Sequence, residues 1–481
     1  MSELLPVASL VMLVSAGLAI MLLDVFAKGR AELPFVTTTA LLAAAAISGA
    51  GLLAPAPTDV PAFITDYLSV DKYGYFFDVV IAVGAALATL LAGGYLREHA
   101  MERGEYYVLV LFSALGAMVL ARAVDLLTLF VGLETLSLGV YSLVAYRRTS
   151  ARATEAAVKY FLLGSFASAL FLFGAALIYG ATGHTGFRGI GEAIGSGHAP
   201  VMLVVLGLAM LVAGLAFKVS AVPFHMWTPD AYEGAPTPTT AFMSVVVKTA
   251  AFAVFVRLLL LGFGDHLSAS ANGWPAIVSG LAAVTMVYGN LAAVGQTSVK
   301  RMLAYSSIAH AGYLLLGLAA VSKVPTEATS GILYYLAAYT VSNALVLGAL
   351  IWSGSNGKEV TSFADLAGLG RRHPAIGVAF LVGILSLMGF PPTAGFFGKW
   401  YVLSAAVQAD MVGLTILAVL TSAVGAFYYL KVLVFLYMKS PEEGAPVAVP
   451  MKSSYVVFAL VLASYFVVKM GLTPANYLDA A

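Results

Sequence analysis

Apolar stretches long enough to cross a lipid bilayer recur from one end of this chain to the other. A hydrocarbon core about 30 Å thick needs roughly 20 apolar residues per helix, and these stretches lack the alternating pattern of a membrane β-strand. The sequence therefore predicts an all-α polytopic membrane protein with about fourteen transmembrane helices. We place them near residues 4–23, 33–53, 74–95, 106–121, 125–146, 157–180, 200–222, 238–262, 275–296, 302–320, 331–352, 375–405, 411–437 and 454–471.

The composition supports a membrane protein and excludes several other classes. Of the 481 residues, 61% are hydrophobic and 10% are charged, against about 25% charged in soluble domains. A net charge of +1 gives no reason to expect nucleic acid, so the expected surroundings are the lipid bilayer and protein partners. Because the chain has no cysteine, disulfides and thiolate-held iron–sulfur clusters are excluded. The first stretch lacks a basic start and a cleavage site, so we expect a transmembrane helix rather than a removed signal peptide.

The charges of the predicted loops indicate the orientation. Loops rich in Lys and Arg lie in the cytoplasm according to the positive-inside rule. Such residues concentrate in the odd-numbered loops along the whole chain, which supports fourteen helices and predicts that both termini lie outside. The odd loops contain Lys28, Arg30, Arg97, Arg103, Arg147, Arg148, Arg152, Lys300, Arg301, Lys358, Arg371, Arg372, Lys439 and Lys452, whereas the even loops and termini contain Lys72, Arg122, Arg188, Lys323 and Lys469.

A faint internal repeat relates two parts of the chain. Residues 154–156 match 326–328, and 169–174 partly match 344–348, at an offset of about 172–175 residues. Five predicted helices separate the copies, and an odd number requires two inverted units, as in many transporters. Chance similarity between Ala/Leu-rich helices is the alternative. The repeat predicts four units: 1–105 with three helices, 106–265 and 266–440 as inverted five-helix repeats that each contain a broken helix, and 441–481 with the last helix.

Ionisable side chains lie deep inside several of these stretches. Glu134 is about ten residues from either membrane surface, hence roughly 15 Å deep at 1.5 Å per residue. A charge at that depth costs several kcal/mol unless it is paired, hydrated or neutralised, and it marks a functional candidate by default. The alternative for Glu134 is a neutral carboxyl that hydrogen-bonds a neighbouring helix.

Four lysines occupy comparable positions: Lys159, Lys218, Lys248 and Lys399. Lys159 is near the start of its stretch and could extend its amine to the interface. Lys248 is in mid-helix and cannot. Because burial penalises the ammonium form, a buried lysine can exchange its proton near neutral pH.

Proline residues interrupt the helix beside two of these lysines. Pro223 follows Lys218, and Pro391 and Pro392 precede Lys399. Proline removes a helical hydrogen bond, and broken helices at membrane depth occur inside protein or beside water-filled cavities. The pattern predicts two hydrated half-channels, one in each repeat.

Two histidines and several other polar residues are weaker candidates. His225 and His310 have side chains suited to a proton relay, although each is equally typical of a hydrogen-bonded interior histidine. Asp230 is expected to cap the helix that starts near Pro236. For Asp230, Glu233 and Lys431, structural and functional roles are equally supported. No nucleotide-binding fingerprint is present, and the histidines are too scattered to indicate a metal site, so we expect no cofactor in this chain.

Long motifs around these residues resemble a known family. GLAFKVSAVPFHMWTPDAYEGAPTPTTAF resembles the signature of the antiporter-like subunits of respiratory complex I and of related multisubunit cation/proton antiporters. GLETLSLGVYSLVAYRR resembles the glutamate helix of that family. KRMLAYSSIAHAGYLLLG and FFGKWYVLSAAV are similar to the N-type subunits of NADH-quinone oxidoreductase in particular. The similarity covers nearly the whole chain.

The resemblance implies a role for each candidate residue. In the family, M-type subunits have glutamate at the position of Lys399 and L-type subunits carry an additional lateral helix, so the N-type fits best. The implied proton relay consists of Glu134 as the residue coupled to the neighbouring subunit, Lys159 as its partner, Lys218 as the broken-helix carrier, His225 and Lys248 as the central connection, His310 as the bridge in the second half, and Lys399 as the exit carrier.

The resemblance also implies a function and an environment. The chain would be a non-redox, proton-translocating subunit of a translocase in a bacterial inner membrane. NADH, FMN, iron–sulfur clusters and quinone would be bound by partner subunits, and its membrane neighbours would be other antiporter-like subunits and small membrane subunits. The main alternative is a subunit of a multisubunit Na⁺/H⁺ antiporter. A scaffold subunit that no longer pumps and a formate- or ferredoxin-linked relative are further alternatives.

Overall fold

The structure is a computed structural model that describes residues 2–26, 32–55, 60–267, 273–354, 357–441 and 449–478. Lys28 and Arg30, two of the predicted loop charges, lie outside the described residues. Within the described ranges the chain is helical, and its β-type pairing is limited to three isolated bridges. The predicted all-α membrane class is confirmed.

The long helices follow the apolar stretches closely, because a bilayer-spanning segment must satisfy its backbone hydrogen bonds internally. They are α1 (Ala8–Phe26), α2 (Leu33–Leu53), α3 (Lys72–Glu98), α4 (Gly104–Arg122), α5 (Leu126–Val144), α6 (Ala151–Thr182), α7 (Val201–Val219), α8 (Trp227–Gly234), α9 (Thr237–Gly264), α10 (Trp274–Val294), α11 (Val299–Ala320), α12 (Pro325–Ser353), α13 (Pro374–Met388), α14 (Ala394–Gln408), α15 (Val412–Tyr437) and α16 (Ser454–Leu472).

The number of spans agrees with the sequence-based prediction. Among the described residues, 13 helices are long and apolar enough to cross a membrane. The remaining predicted stretch, near 375–405, consists of α13 and α14, which have 15 residues each and are separated by a short break. The predicted interruption of that stretch is therefore correct.

Two helices break close to the prolines, as predicted from the sequence. α7 ends at Val219, and Ser220 then adopts a left-handed conformation with φ of 65°. α13 ends at Met388, and Gly389 has φ of 86°. Glycine takes that conformation freely, whereas a side chain makes it costly. The hydroxyl of Ser220 accepts a 2.7 Å hydrogen bond from Thr228 on α8, which holds the unusual turn in place.

The interior is formed by α3, α9, α11 and α12, most of whose residues are buried, while α6 and α15 are mainly exposed at the periphery. Small residues allow close helix approach, as is usual in membranes where lipid is as apolar as the side chains. At the α4–α5 contact, a side chain in place of Gly116 or Gly132 would collide with the backbone of the facing helix.

The first four helices meet at one buried ion pair. Arg122 at the end of α4 lies 3.4 Å from Asp78 of α3, and neither side chain is exposed. Ser9 of α1 and Ser48 of α2 donate hydrogen bonds to the same carboxylate oxygen, at 3.3 and 3.1 Å. The prediction that Arg122 lies in an external loop is therefore wrong, because the side chain turns inward and is satisfied by protein groups.

Candidate functional site

Lys218 of α7 is hydrogen-bonded to α5 at Ser137, about one helical turn from Glu134. The Lys218 Nζ donates a 2.6 Å hydrogen bond to Ser137 Oγ. Ser137 follows Glu134 by about one helical turn, so the two lie on the same side of α5. Glu134 itself accepts a hydrogen bond from Ser168 on α6. The structure therefore brings the first predicted carboxyl and the first broken-helix lysine to neighbouring positions.

The Lys218 side chain is only 3% exposed, and several groups around its amine attract positive charge. Its Nζ lies 5.3 and 5.7 Å from the ring centres of Tyr141 and Tyr160, and aromatic faces attract ammonium groups within about 6 Å. Lys218 also occupies the last turn of α7, where the negative end of the helix dipole stabilises positive charge.

Lys159 is not paired with Glu134 in this structure. Its amine lies 2.7 Å from Glu155 and 2.9 Å from Asp230, and 46% of its side chain is exposed. Arg301 binds the other oxygen of Asp230 at 2.9 Å. Asp230 is inside α8, and α9 begins at Thr237, preceded by Pro236 and without a side-chain cap. The prediction that Asp230 caps the following helix was wrong, because its carboxylate is held by these two cations.

These charges line a cavity of about 270 Å³ at the membrane face to which the odd loops belong. Its position beside α8 places an open polar space next to the second half of the first broken helix. The lining residues are Arg152, Glu155, Ala156, Lys159, Asp230, Glu233 and Arg301.

Lys248 lies in the centre of the molecule, directly after a π-helical turn at Met243–Val247. Such turns are frequent at functional sites. The side chain is 2% exposed, and its Nζ donates to the backbone oxygen and, at 2.6 Å, to the hydroxyl of Ser307 on α11. Tyr232 of α8 places its hydroxyl 3.3 Å from the same serine. Lys248 is thereby linked to the helix that follows the first break.

His310 lies about one helical turn beyond Ser307 on α11 and is hydrogen-bonded at both ring nitrogens. Nδ1 is 2.6 Å from the hydroxyl of Tyr335, and Nε2 is 2.9 Å from that of Tyr429. Tyr339 connects this histidine to the centre, since its ring packs 4.9 Å from the imidazole and 5.2 Å from the Lys248 amine. The predicted bridging position of His310 is thus adjacent to Lys248.

Lys399 lies in the first turns of α14 but reaches back across the break. Its Nζ donates to the carbonyl of Met388, the last residue of α13, at 2.9 Å, and to Ser422 of α15 at 3.0 Å. The carbonyls at a helix end lack helical partners, so the lysine satisfies one of them. The Tyr313 ring lies 5.2 Å from the amine and 6.1 Å from His310. Lys218 and Lys399 therefore share one environment, the negative end of a half-helix.

His225 is the candidate least connected to the others. Its ring packs 4.5 Å from that of Tyr288 on α10, and Nδ1 has no hydrogen-bond partner among the described residues. The amine of Lys248 is held by Ser307 instead. The predicted central connection between His225 and Lys248 is not formed in this arrangement.

The sequence did not reveal the hydroxyl groups that bind five of the seven candidates, namely Glu134, Lys218, Lys248, His310 and Lys399. A weak signal existed: SSIAH contains two adjacent small polar residues inside an apolar helix, and two tyrosines four residues apart place both hydroxyls on one face of α12. Within the described part of the chain, no cluster of three or more His, Cys, Asp and Glu side chains could hold a metal ion. The missed hydroxyls belong to Ser137, Ser168, Ser307, Ser422, Tyr335 and Tyr429, and Tyr339 contributes its ring.

A bundle of about fourteen spans, two broken helices and a row of intramembrane lysines together define an antiporter-like membrane subunit. Comparison with known families agrees, because residues 123–425 match the family described as NADH:quinone oxidoreductase/Mrp antiporter, TM. The chain belongs to this family, and within it to the subunit N group of NADH-quinone oxidoreductase.

Individual relatives support that assignment over nearly the full length. NADH-quinone oxidoreductase subunit N 1 of Sorangium cellulosum is 51% identical over 99% of this chain and 97% of its own. Subunit N of Trichlorobacter lovleyi is 41% identical over 89% of this chain and 86% of its own. A chain in the structure of respiratory complex I from Thermus thermophilus with bound aureothin superposes with a TM-score of 0.81 at 34% identity, covering 98% of both chains. A subunit of a Na⁺/H⁺ antiporter is accordingly the weaker alternative.

Proposed function

We propose that this chain is a proton-translocating membrane subunit of an NADH-quinone oxidoreductase, coupling electron transfer in other subunits to proton movement across the membrane. NADH, FMN, iron–sulfur clusters and quinone would be bound by those partner subunits. The membrane neighbours would be other antiporter-like subunits and small membrane subunits, and both termini would lie on the periplasmic side of a bacterial inner membrane.

One observation carries the proposal: three of the four candidate lysines each donate a hydrogen bond to a serine hydroxyl on a neighbouring helix. The pairs are Lys218 with Ser137, Lys248 with Ser307, and Lys399 with Ser422. A hydroxyl both donates and accepts, so it can accept a proton from one side while it releases one to the other.

The proposed route follows these contacts through the bundle. A proton would move from Lys218 to the central Lys248, then past His310 to Lys399, and leave on the periplasmic side. Tyr339 and Tyr313 line the interval between the second and third lysines. No continuous hydrogen-bond chain joins the first two lysines among the residues that the structure describes, and water entering at the first break would have to complete it.

Coupling to the neighbouring subunit would act on Glu134. The amine of Lys159 is bound to Asp230 in this structure. A change in the charge of the neighbouring subunit would move this amine between the Asp230 carboxylate and Glu134. Two unit charges 4 Å apart interact by about 4 kcal/mol at an effective dielectric near 20, which is enough to change whether nearby Lys218 holds its proton. His225, beside the first break, would serve when water bridges it to the relay.

The division into units belongs to the same proposal. Two broken helices, each with a positive-φ residue after its first half and a lysine at the break, support the two inverted repeats at 106–265 and 266–440. The flanking units would be 1–105 and 441–481.

The test compares lysine variants in the assembled complex. We expect Lys218→Ala and Lys248→Ala to lower proton pumping by about a hundredfold, since a positioned proton carrier contributes roughly 10²–10⁴ in rate. Pumping by inverted vesicles would be measured with a pH-sensitive dye during NADH oxidation. NADH–ferricyanide activity would report how much complex assembled.

Lys323→Ala is the matched control. This lysine is 54% exposed and pairs with Asp410 at the surface, so its loss should leave pumping unchanged. Assembled Lys218→Ala and Lys248→Ala complexes that pump as many protons per electron as the unmodified complex would refute the proposal.

A further inference from the structure

Outside the relay, the structure contains a partly buried carboxyl next to a fully buried lysine. Glu359 lies in the segment between α12 and α13, and its Oε2 is 3.7 Å from the Nζ of Lys300 in the first turn of α11. The lysine side chain is 0% exposed, and that of Glu359 is 17% exposed. The lysine also donates a 2.7 Å hydrogen bond to the carbonyl of Ala235, between α8 and α9. The pair therefore joins the end of the first broken helix to the helix that carries His310.

The backbone fixes Glu359 in this place. Ser298 and Ser362 form an isolated β-bridge, and Val299 donates to the carbonyl of Thr361 at 2.7 Å. The segment is thus attached directly to the start of α11. It belongs to an odd loop, so the predicted orientation turns the exposed edge of Glu359 toward the cytoplasm.

The charges around the pair are mixed. Arg147, in the loop after α5, lies 3.9 Å from Oε1 of Glu359. Glu233 and Arg152 act on Lys300 at longer range. Burial raises the pKa of Glu359 to about 7, so near neutral pH this carboxyl is present in both protonation states.

Lys300 is aligned with the central relay. Ser307, which holds Lys248, follows Lys300 by seven residues, and seven residues make nearly two full turns, so both side chains lie on the same face of α11. The rise between them is about 10 Å. Ala304, a residue with a small side chain, lies between them on that face.

We infer that Glu359 and Lys300 form a cytoplasmic proton-uptake pair that returns a proton to Lys248 after Lys248 has passed the proton received from Lys218 on toward Lys399. The inference rests on the proposed function. A proton from cytoplasmic water binds the Glu359 carboxylate. The carboxyl then gives this proton to neutral Lys300, restoring the carboxylate and forming the ammonium. The ammonium gives it through water to Ser307 and Lys248 and becomes neutral again.

Uptake through Glu359 predicts a distinct pH profile. The protonated fraction of Glu359 falls as the pH rises above about 7, so pumping limited by this step should fall over the same range. Glu359→Gln should lower pumping about tenfold and remove that decline. Glu359→Asp should retain the pumping and the decline. Glu359→Ala leaves space for a small weak acid, and added formate should restore part of its pumping.

The experiment measures NADH-driven pumping by the purified complex in proteoliposomes from about pH 6 to 9, a range that spans the titration of a group near neutrality. Glu105→Gln is the control, because this carboxyl also faces an arginine, Arg148 at 3.8 Å, but its side chain is 58% exposed. It should leave the rate and the profile unchanged.

The outcomes separate the two proposals. If Glu359→Gln keeps the unmodified rate and profile while Lys248→Ala abolishes pumping, the uptake pair is refuted and the relay stands. A loss that formate does not restore and that leaves the profile unaltered means a structural role and also refutes the pair. If Lys248→Ala has no effect either, the proposed function fails together with this inference.

Discussion

Replacing Arg122 by leucine tests how the first four helices are held together. The variant leaves the Asp78 carboxylate buried with only the hydroxyls of Ser9 and Ser48, and removing one partner of a buried ion pair costs about 3–5 kcal/mol. Arg122 also donates to the carbonyls of Ser69 and Pro6 at 2.9 Å each. Each of these carbonyls, left unsatisfied, adds about 1–3 kcal/mol. We therefore expect Arg122→Leu to lower the free energy of unfolding by at least about 5 kcal/mol.

A double-mutant cycle separates the energy of the Asp78–Arg122 ion pair from that of the other contacts of Arg122. Asp78→Leu alone leaves the arginine charge unpaired and should cost a similar amount, about 3–5 kcal/mol. The double variant buries no charge and should retain only the cost of the two carbonyls. The assay is unfolding of the purified chain in detergent micelles, followed by circular dichroism. Additive effects of the two substitutions, with a coupling energy below about 0.5 kcal/mol, would refute the ion-pair account.

Further outcomes follow from other contacts. Ser307→Ala removes the hydroxyl beside Lys248. We expect proton pumping by vesicles to fall at least about tenfold while NADH–ferricyanide activity is unchanged. Ser322→Ala is the control, because the Ser322 hydroxyl donates to the nearby carbonyl of Ala319. Burial raises the pKa of Asp71, but its hydrogen bonds and pairing with Arg257 outweigh this and leave the pKa below the usual value. That stabilisation is complete above about pH 4 and is lost as the pH falls through the folded-state pKa, so acid unfolding curves of Asp71→Asn should lack this loss. Identical acid unfolding curves for Asp71→Asn and the unmodified chain would contradict this account of Asp71.

The spans and breaks could be predicted because their causes are local. Twenty apolar residues in sequence force a membrane helix whatever surrounds them, and Pro223 or Pro391 ends a helix through its own missing donor. The family followed from long motifs, and the relatives confirm it. The positions of Glu134, Lys218, Lys248 and Lys399 within their helices needed no tertiary information.

The partners of polar groups could not be predicted, because helix packing sets them. The carboxylate of Asp78 is 44 positions from Arg122 in the chain, and the amine of Lys159 is 71 from its partner Asp230. Nothing in a short window distinguishes an arginine that faces solvent from one that turns inward. The partners of the serine and tyrosine hydroxyls also depend on helix packing. A serine hydroxyl in a membrane helix often hydrogen-bonds its own backbone, so its presence in the sequence does not show that it binds another helix.

The two tyrosine hydroxyls that contact His310 restrict how its imidazole could carry protons. A neutral imidazole has one donor and one acceptor nitrogen, so Tyr335 and Tyr429 cannot both donate to it or both accept from it. When a proton enters at one nitrogen and leaves from the other, the ring is left as the opposite tautomer, and both hydroxyls must rotate before the next proton can follow. His310 therefore cannot conduct protons continuously. In the proposed relay it would pass one proton and then need to be reset, so that one proton would be counted in each cycle.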